Sequence, residues 1–183
     1  YLVKVFRTDS DGNSITDWIL DPFARNSLGG EFWGKIITFE IDEKIGLLKA
    51  YFESEQSPRK TSPGMLRRVA LLPDLERVKI ESNQFFKKSL AELIIYECHV
   101  RGMTQHHSSK VPVCQRGKFS GLRQKIKYLS QLGINVVELL PVFDFDENEN
   151  HLKNPENQQI LKNYWGYSPV LWFSPKAAYA DNP

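Results

Sequence analysis

A chain of 183 residues with 24 Lys+Arg against 22 Asp+Glu has a formal charge of +2, too even a balance to follow a polyphosphate backbone, which argues against nucleic acid as partner. Apolar residues at 41% and charged residues at 25% match ordinary globular usage, excluding global disorder and a coiled coil. No apolar run approaches the ~20 residues that span a bilayer, and the start Tyr1-Leu2-Val3-Lys4 lacks the order of a signal peptide, so no membrane partner is expected.

At roughly 150 residues per domain, the length suggests one domain or one plus part of another. Tyr1 to Phe6 is rich in β-formers. Ile36 to Ile41 alternates Ile37, Phe39 and Ile41 against Thr38 and Glu40, and Ile45 to Phe52 follows after a gap too short for a helix. This patterning predicts an antiparallel sheet with one wet face, a β-sandwich portion over residues 1–53. Asp11-Gly12-Asn13-Ser14, Asp21-Pro22 and Gly29-Gly30 punctuate it as turns. Residues 54–92 read as linker and extended segments: Ser54 to Gly64 is aperiodic with two prolines, and Val69 to Ile80 is strand material.

From Leu93 the pattern changes to α/β, and residues 93–183 form the last predicted region. Leu93 to Val100 is nearly continuously apolar, as in a strand covered on both faces. After a long loop, Ser120 is a candidate N-cap for a helix carrying Leu122, Ile126 and Leu129 inward and ending at Gly133. Ile134 to Val142 is a second buried strand. Strand, amphipathic helix and strand make a βαβ unit. Cys98, in the first strand, reads as a buried thiol. With only Cys114 beside it there is no disulfide framework, which predicts a reducing, cytoplasmic setting.

The second strand runs into a long predicted loop, Phe143 to Asn163, rich in Asp, Glu and Asn, followed by the aromatic cluster Tyr164-Trp165-Gly166-Tyr167, Trp172, Phe173 and Tyr179. Loops of this length are usually functional, and in α/β barrels those leaving the carboxyl ends of strands build the active-site face. Aromatic faces beside Asp, Asn and Glu suit a sugar, whose C–H faces pack on rings while its hydroxyls meet polar rims. The alternative is that Trp165, Tyr167, Trp172 and Phe173 are core residues. Glu97, Glu138, Asp144 and Asp146 are the carboxylates from which a glycosidase pair could be drawn, although structural ion pairs are the commoner use. Asp144-x-Asp146-x-Asn148-x-Asn150 opens like a calcium-binding EF-hand but has Glu149 where glycine is needed and Pro155 where a bidentate Glu belongs. His99, His106, His107 and His151 lack the spacing of a zinc protease, so neither metal nor cofactor is expected.

Read together, Ile95 to Thr104 (Ile-Tyr-Glu-Cys-His-Val-Arg-Gly-Met-Thr), Arg116 to Leu122 (Arg-Gly-Lys-Phe-Ser-Gly-Leu), Leu132 to Val142 (Leu-Gly-Ile-Asn-Val-Val-Glu-Leu-Leu-Pro-Val) and Asn163 to Tyr167 (Asn-Tyr-Trp-Gly-Tyr) resemble the start of the α-amylase superfamily barrel. More narrowly, they resemble the isoamylase and glycogen-debranching branch of glycoside hydrolase family 13. Leu20-Asp21-Pro22-Phe23-Ala24-Arg25 resembles the stretch that follows the carbohydrate-binding-type β-sandwich in these enzymes. The resemblance implies the first two βα units of an incomplete TIM (β/α)8 barrel. It places Tyr167 under the sugar ring at the cleavage site, with Trp165 lining the cleft and Tyr164 in the same substrate-binding turn. The catalytic carboxylates of the family lie on later strands, so none is expected on this chain, and a barrel of typically ~250 residues implies an inactive fragment of a longer protein. The implied activity is retaining hydrolysis of α-1,6 branches in glycogen or a related polymer, with a branched α-glucan as partner. A glucan branching transferase and a noncatalytic glucan-binding scaffold are the alternatives.

Overall fold

The computed structural model describes residues 2–42, 47–52, 67–71 and 88–182. In chain order they form β1 (Val3–Thr8), β2 (Ser14–Ile19), β3 (Ser27–Leu28), β4 (Ile37–Asp42), β5 (Leu47–Phe52), β6 (Val69–Ala70), β7 (Ile95–Cys98), α1 (Val100–Gln105), α2 (Phe119–Arg123), α3 (Ile126–Gln131), β8 (Val136–Leu139), β9 (Phe143–Phe145) and β10 (Pro169–Pro175). Two compact units result, one of residues 1–72 with 143–177 and the other of residues 73–142 with 178–183. The predicted loop at 54–64 and the strand material at 72–80 lie outside the described residues.

In the first unit the expected antiparallel pairing is present: β1 with β2, β4 with β5 from Ile37↔Phe52 to Asp42↔Leu47, β3 with β6, and β9 with β10. Among the described residues these are separate two-stranded sheets. The β1–β2 ribbon leaves Phe6 74% exposed, while Val5 and its register partner Asp17 are half-buried on the other face. On β4 the alternation holds for Glu40, which is exposed, but Thr38 is buried beside Ile37 and Phe39. Apolar packing gathers in two small clusters. Ile37, Phe39 and Val69 pack with Leu2 and Leu28, and Ala24, Ala70 and Leu171 pack with Leu20. The Leu20 to Arg25 stretch is a turn, with the Asp21 carboxylate accepting the Phe23 N–H at 2.9 Å and its carbonyl accepting the Ala24 N–H at 3.1 Å. The turn seats Ala24 against Leu171 of β10.

Residues 143–163 are not the structureless loop expected. Phe143–Phe145 is a strand, residues 153 and 160 form an isolated bridge, and Trp172 and Phe173 belong to β10. Asx side chains explain the asparagine-rich run. Asp146, Asn150, Asn154 and Asn157 each accept the backbone N–H two residues onward, at 2.9, 2.8, 2.8 and 3.0 Å. The composition is turn chemistry.

In the second unit β7 and β8 pair in parallel, from Ile95↔Val136 to Cys98↔Leu139, and the connection between them carries α1, α2 and α3. Asn135 sets the entry to β8: its Oδ1 accepts the Ile94 N–H at 2.8 Å and its Nδ2 donates to the Glu92 carbonyl at 2.8 Å. Neither strand is covered on both faces as expected. Ile95 is 53% and Leu139 38% exposed, and among the described residues no third strand pairs with either. The single helix expected from Ser120 is two short ones. Lys118 occupies the N-cap position of α2, and Ser120 lies inside it, donating instead to the Asp181 carboxylate at 2.7 Å. Gly133, at φ +85°, ends the second helix as expected. Its N–H bonds the Ser130 carbonyl and that of Ile134 the Leu129 carbonyl, a Schellman closure.

The expected loop after β7 begins with α1, which the sequence hid because Val100, Gly102 and Thr104 are poor helix formers. Its start is held by His99, whose Nδ1 accepts the Gly102 N–H at 2.9 Å. The ring proton therefore sits on Nε2, 3.3 Å from the buried Tyr179 hydroxyl.

Candidate functional site

The acidic stretch after β8 is the best-tied part of the first unit. Asp144, fully buried, accepts from Ser27 Oγ at 2.9 Å and Arg68 Nε at 3.0 Å through Oδ2. Its Oδ1 lies 3.6 Å from Lys176 Nζ. Lys176, also fully buried, donates to Glu147 at 2.6 Å and to the Phe145 carbonyl at 2.7 Å. It also lies 4.6 Å from the Phe145 ring centroid. The other Glu147 oxygen accepts the Gly34 N–H at 2.6 Å. Arg68 completes the group with bonds to the Gly29 and Phe145 carbonyls at 2.6 and 3.2 Å. Two cations and two anions cancel, which lets the group stay dry.

Asp146, on the rim, meets Arg67 at 2.6 Å. Burial alone would raise its pKa, but the Arg67 hydrogen bond, the Asn148 N–H and the charges of Arg67 and Arg68 hold it below the usual carboxylate range. A lowered folded-state pKa adds stability above the unfolded value of about 3.9 that is lost as pH falls through the folded value. Asp146→Asn is therefore expected to cost about 1 kcal/mol at pH 7, with variant and parent converging at an acid pH below the folded-state value. Urea midpoints at the two pH values measure this, and a gap unchanged by acid would refute it.

Above this network the chain turns through the aromatic tetrapeptide. Asn163 fixes the turn with one carboxamide: Oδ1 accepts the Gly166 N–H at 3.0 Å, and Nδ2 donates to the Tyr167 carbonyl and to Glu149, each at 2.7 Å. Glycine at 166 adopts its φ of +86° without the strain a side chain would bring. Tyr164 packs edge-on to Trp33, with centroids 5.8 Å apart. The turn leaves Trp165 61% and Tyr167 59% exposed. Both are thus outside the core, as are Trp172 and Phe173 on β10. Two exposed rings on a hydrogen-bonded turn can offer flat apolar faces to a ligand whose polar groups remain solvated.

The carboxylates considered from sequence fare differently. Glu97 and Glu138 are register partners on β7 and β8, but both are exposed rather than buried. Asp144 and Asp146 are engaged by arginines, and so belong to the structural network. Among the described residues no group of three or more His, Cys, Asp or Glu is placed to hold a metal ion. Sequence reasoning missed Arg67, Arg68 and Lys176. Nothing in their spacing signals them, since their partners lie far along the chain.

No family model matches the chain. It is 45% identical over 164 residues to the chloroplastic isoamylase 3 of Oryza sativa subsp. japonica, a match covering 89% of this chain and 18% of that protein. Identity to the glycogen operon protein GlgX homolog of Haemophilus influenzae is 44% over 97 residues, covering 51% of this chain and 14% of that protein. The chain belongs to the isoamylase-type branch of glycoside hydrolase family 13. Its fold is like that of the catalytic module of the glycogen-degrading pneumococcal virulence factor SpuA. The TM-score is 0.54 at 20% identity, covering all of this chain (100%) and 23% of that one. Within this family the matched segment is thus a minor part of each relative's length. Among the described residues no helix is long and apolar enough to cross a membrane.

Proposed function

We propose that the full-length protein carrying this segment is a retaining α-glucan debranching hydrolase acting on α-1,6 branches of glycogen or a related polymer. The observation that carries the reading is the exposed, hydrogen-bonded Tyr164-Trp165-Gly166-Tyr167 turn, in a chain 45% identical over 164 residues to an isoamylase. In this reading Tyr167 stacks under the sugar at the cleavage point and Trp165 and Tyr164 line the cleft beside it. The parallel β7–β8 pair is the first repeat of a (β/α)8 barrel preceded by a β-sandwich portion. The acid that protonates the leaving oxygen and the carboxylate that attacks the anomeric carbon lie outside these residues. The proposed compartment is the cytoplasm, in keeping with the free thiols of Cys98 and Cys114.

Assay of the full-length protein on branched glucan distinguishes the activities. Hydrolysis raises reducing ends and releases linear chains, whereas a branching transferase rearranges chains with no net gain of reducing ends. Absence of linear-chain release would overturn the proposal. Tyr167→Ala is expected to weaken binding of maltotetraose about 3- to 10-fold, the worth of one stacked ring, with Tyr167→Phe close to the parent. Unchanged affinity by calorimetry would remove Tyr167 from the cleft.

A further inference from the structure

Tyr167 sits between two residues in the left-handed region: Gly166 at φ +86° and Ser168 at φ +87°. Glycine accepts that conformation freely, but at a serine it costs on the order of 1–3 kcal/mol and persists only where the surroundings impose it. The surroundings here are two side chains. Asn163 grips the turn from one side through the Gly166 N–H and the Tyr167 carbonyl. Glu149 grips it from the other: one carboxylate oxygen accepts from Asn163 Nδ2 at 2.7 Å and the other from Ser168 Oγ at 3.1 Å. The residues on both sides of Tyr167, and its own carbonyl, are thus fixed by one connected chain of hydrogen bonds.

The geometry points to Asn163 and Glu149 as positioning residues that pre-orient the Tyr167 ring for stacking on an α-glucan. The inference rests on the stacking reading given above. Holding the ring before the ligand arrives removes an ordering cost from binding, so loosening the clamp should lower affinity without removing any group that touches the sugar.

The test is a double-mutant cycle read by calorimetry with maltotetraose on the full chain, with a thermal melt of every variant. Asn163→Ala should weaken binding about as much as Tyr167→Ala, about 3- to 10-fold, and the double variant should be no weaker than Tyr167→Ala alone, because residues acting through one another are non-additive. Glu149→Ala should also weaken binding. Glu149→Gln, which retains an oxygen for Asn163 and a partner for Ser168, should recover most of that loss. Parent-like affinity in Asn163→Ala, or losses that multiply in the double variant, would overturn the positioning role while leaving the stacking reading intact. Parent-like affinity in Tyr167→Ala would overturn both. Should Asn163→Ala fail to fold, the same cycle between Glu149→Ala and Tyr167→Ala decides the question from the other end of the clamp.

Discussion

Lys176→Met is expected to lower the unfolding free energy by about 3–5 kcal/mol, the usual cost of removing one partner from a buried ion network. The side chain is fully buried, and its ammonium faces Glu147 at 2.6 Å, the Phe145 carbonyl at 2.7 Å and Asp144 Oδ1 at 3.6 Å. Methionine fills a similar volume, so the loss is electrostatic rather than a cavity. Glu147 would keep only the Gly34 N–H among the bonds described above, and Asp144 Oδ1 has no hydrogen bond to fall back on. Adding Glu147→Gln removes the orphaned charge and should recover part of the loss. Urea denaturation of the two variants measures both effects. A cost below about 1 kcal/mol for Lys176→Met would indicate a cluster reached by water, where ion pairs are weak.

Gly29→Ala is expected to cost about 3 kcal/mol, combining the positive-φ penalty of about 1–2 kcal/mol with overpacking of about 1–3 kcal/mol. Gly29 has φ +104°, and a Cβ there would lie 2.1 Å from the Arg67 carbonyl oxygen and 3.0 Å from the Phe39 ring. The oxygen is backbone and cannot swing away. Displacing it shifts the arginines that hold Asp144 and Asp146, so the cost should not add simply to that of Lys176→Met. Gly12→Ala separates the two contributions: Gly12 has φ +86° but nothing within 4 Å of its would-be Cβ, and it should lose only the conformational part. Equal melting shifts for the two alanine variants would refute the close-approach argument.

Local and short-range features were determined by the sequence itself. The antiparallel β4–β5 pair follows from its alternation and its short connection, and Gly133 ends α3 because a residue with φ +85° is cheapest as glycine. The parallel β7–β8 pair follows from two apolar runs separated by helix-forming sequence, and the Tyr164–Tyr167 turn was marked by its aromatics and embedded glycine. Family resemblance, carried by four ordered blocks, identified what periodicity alone could not.

Tertiary structure decided the rest. Whether Asp144 and Glu147 are solvated or buried depends on Arg68 and Lys176, which the fold brings from distant positions, and no local pattern records a pairing across such separations. Whether the aromatics form core or surface was likewise settled only by the fold, which leaves Trp165 and Tyr167 exposed on the turn that Asn163 and Glu149 hold. Periodicity reports which face of an element is apolar. It does not report what, if anything, covers that face, and for this reason β7 and β8, read as buried from their composition, leave Ile95 and Leu139 partly open.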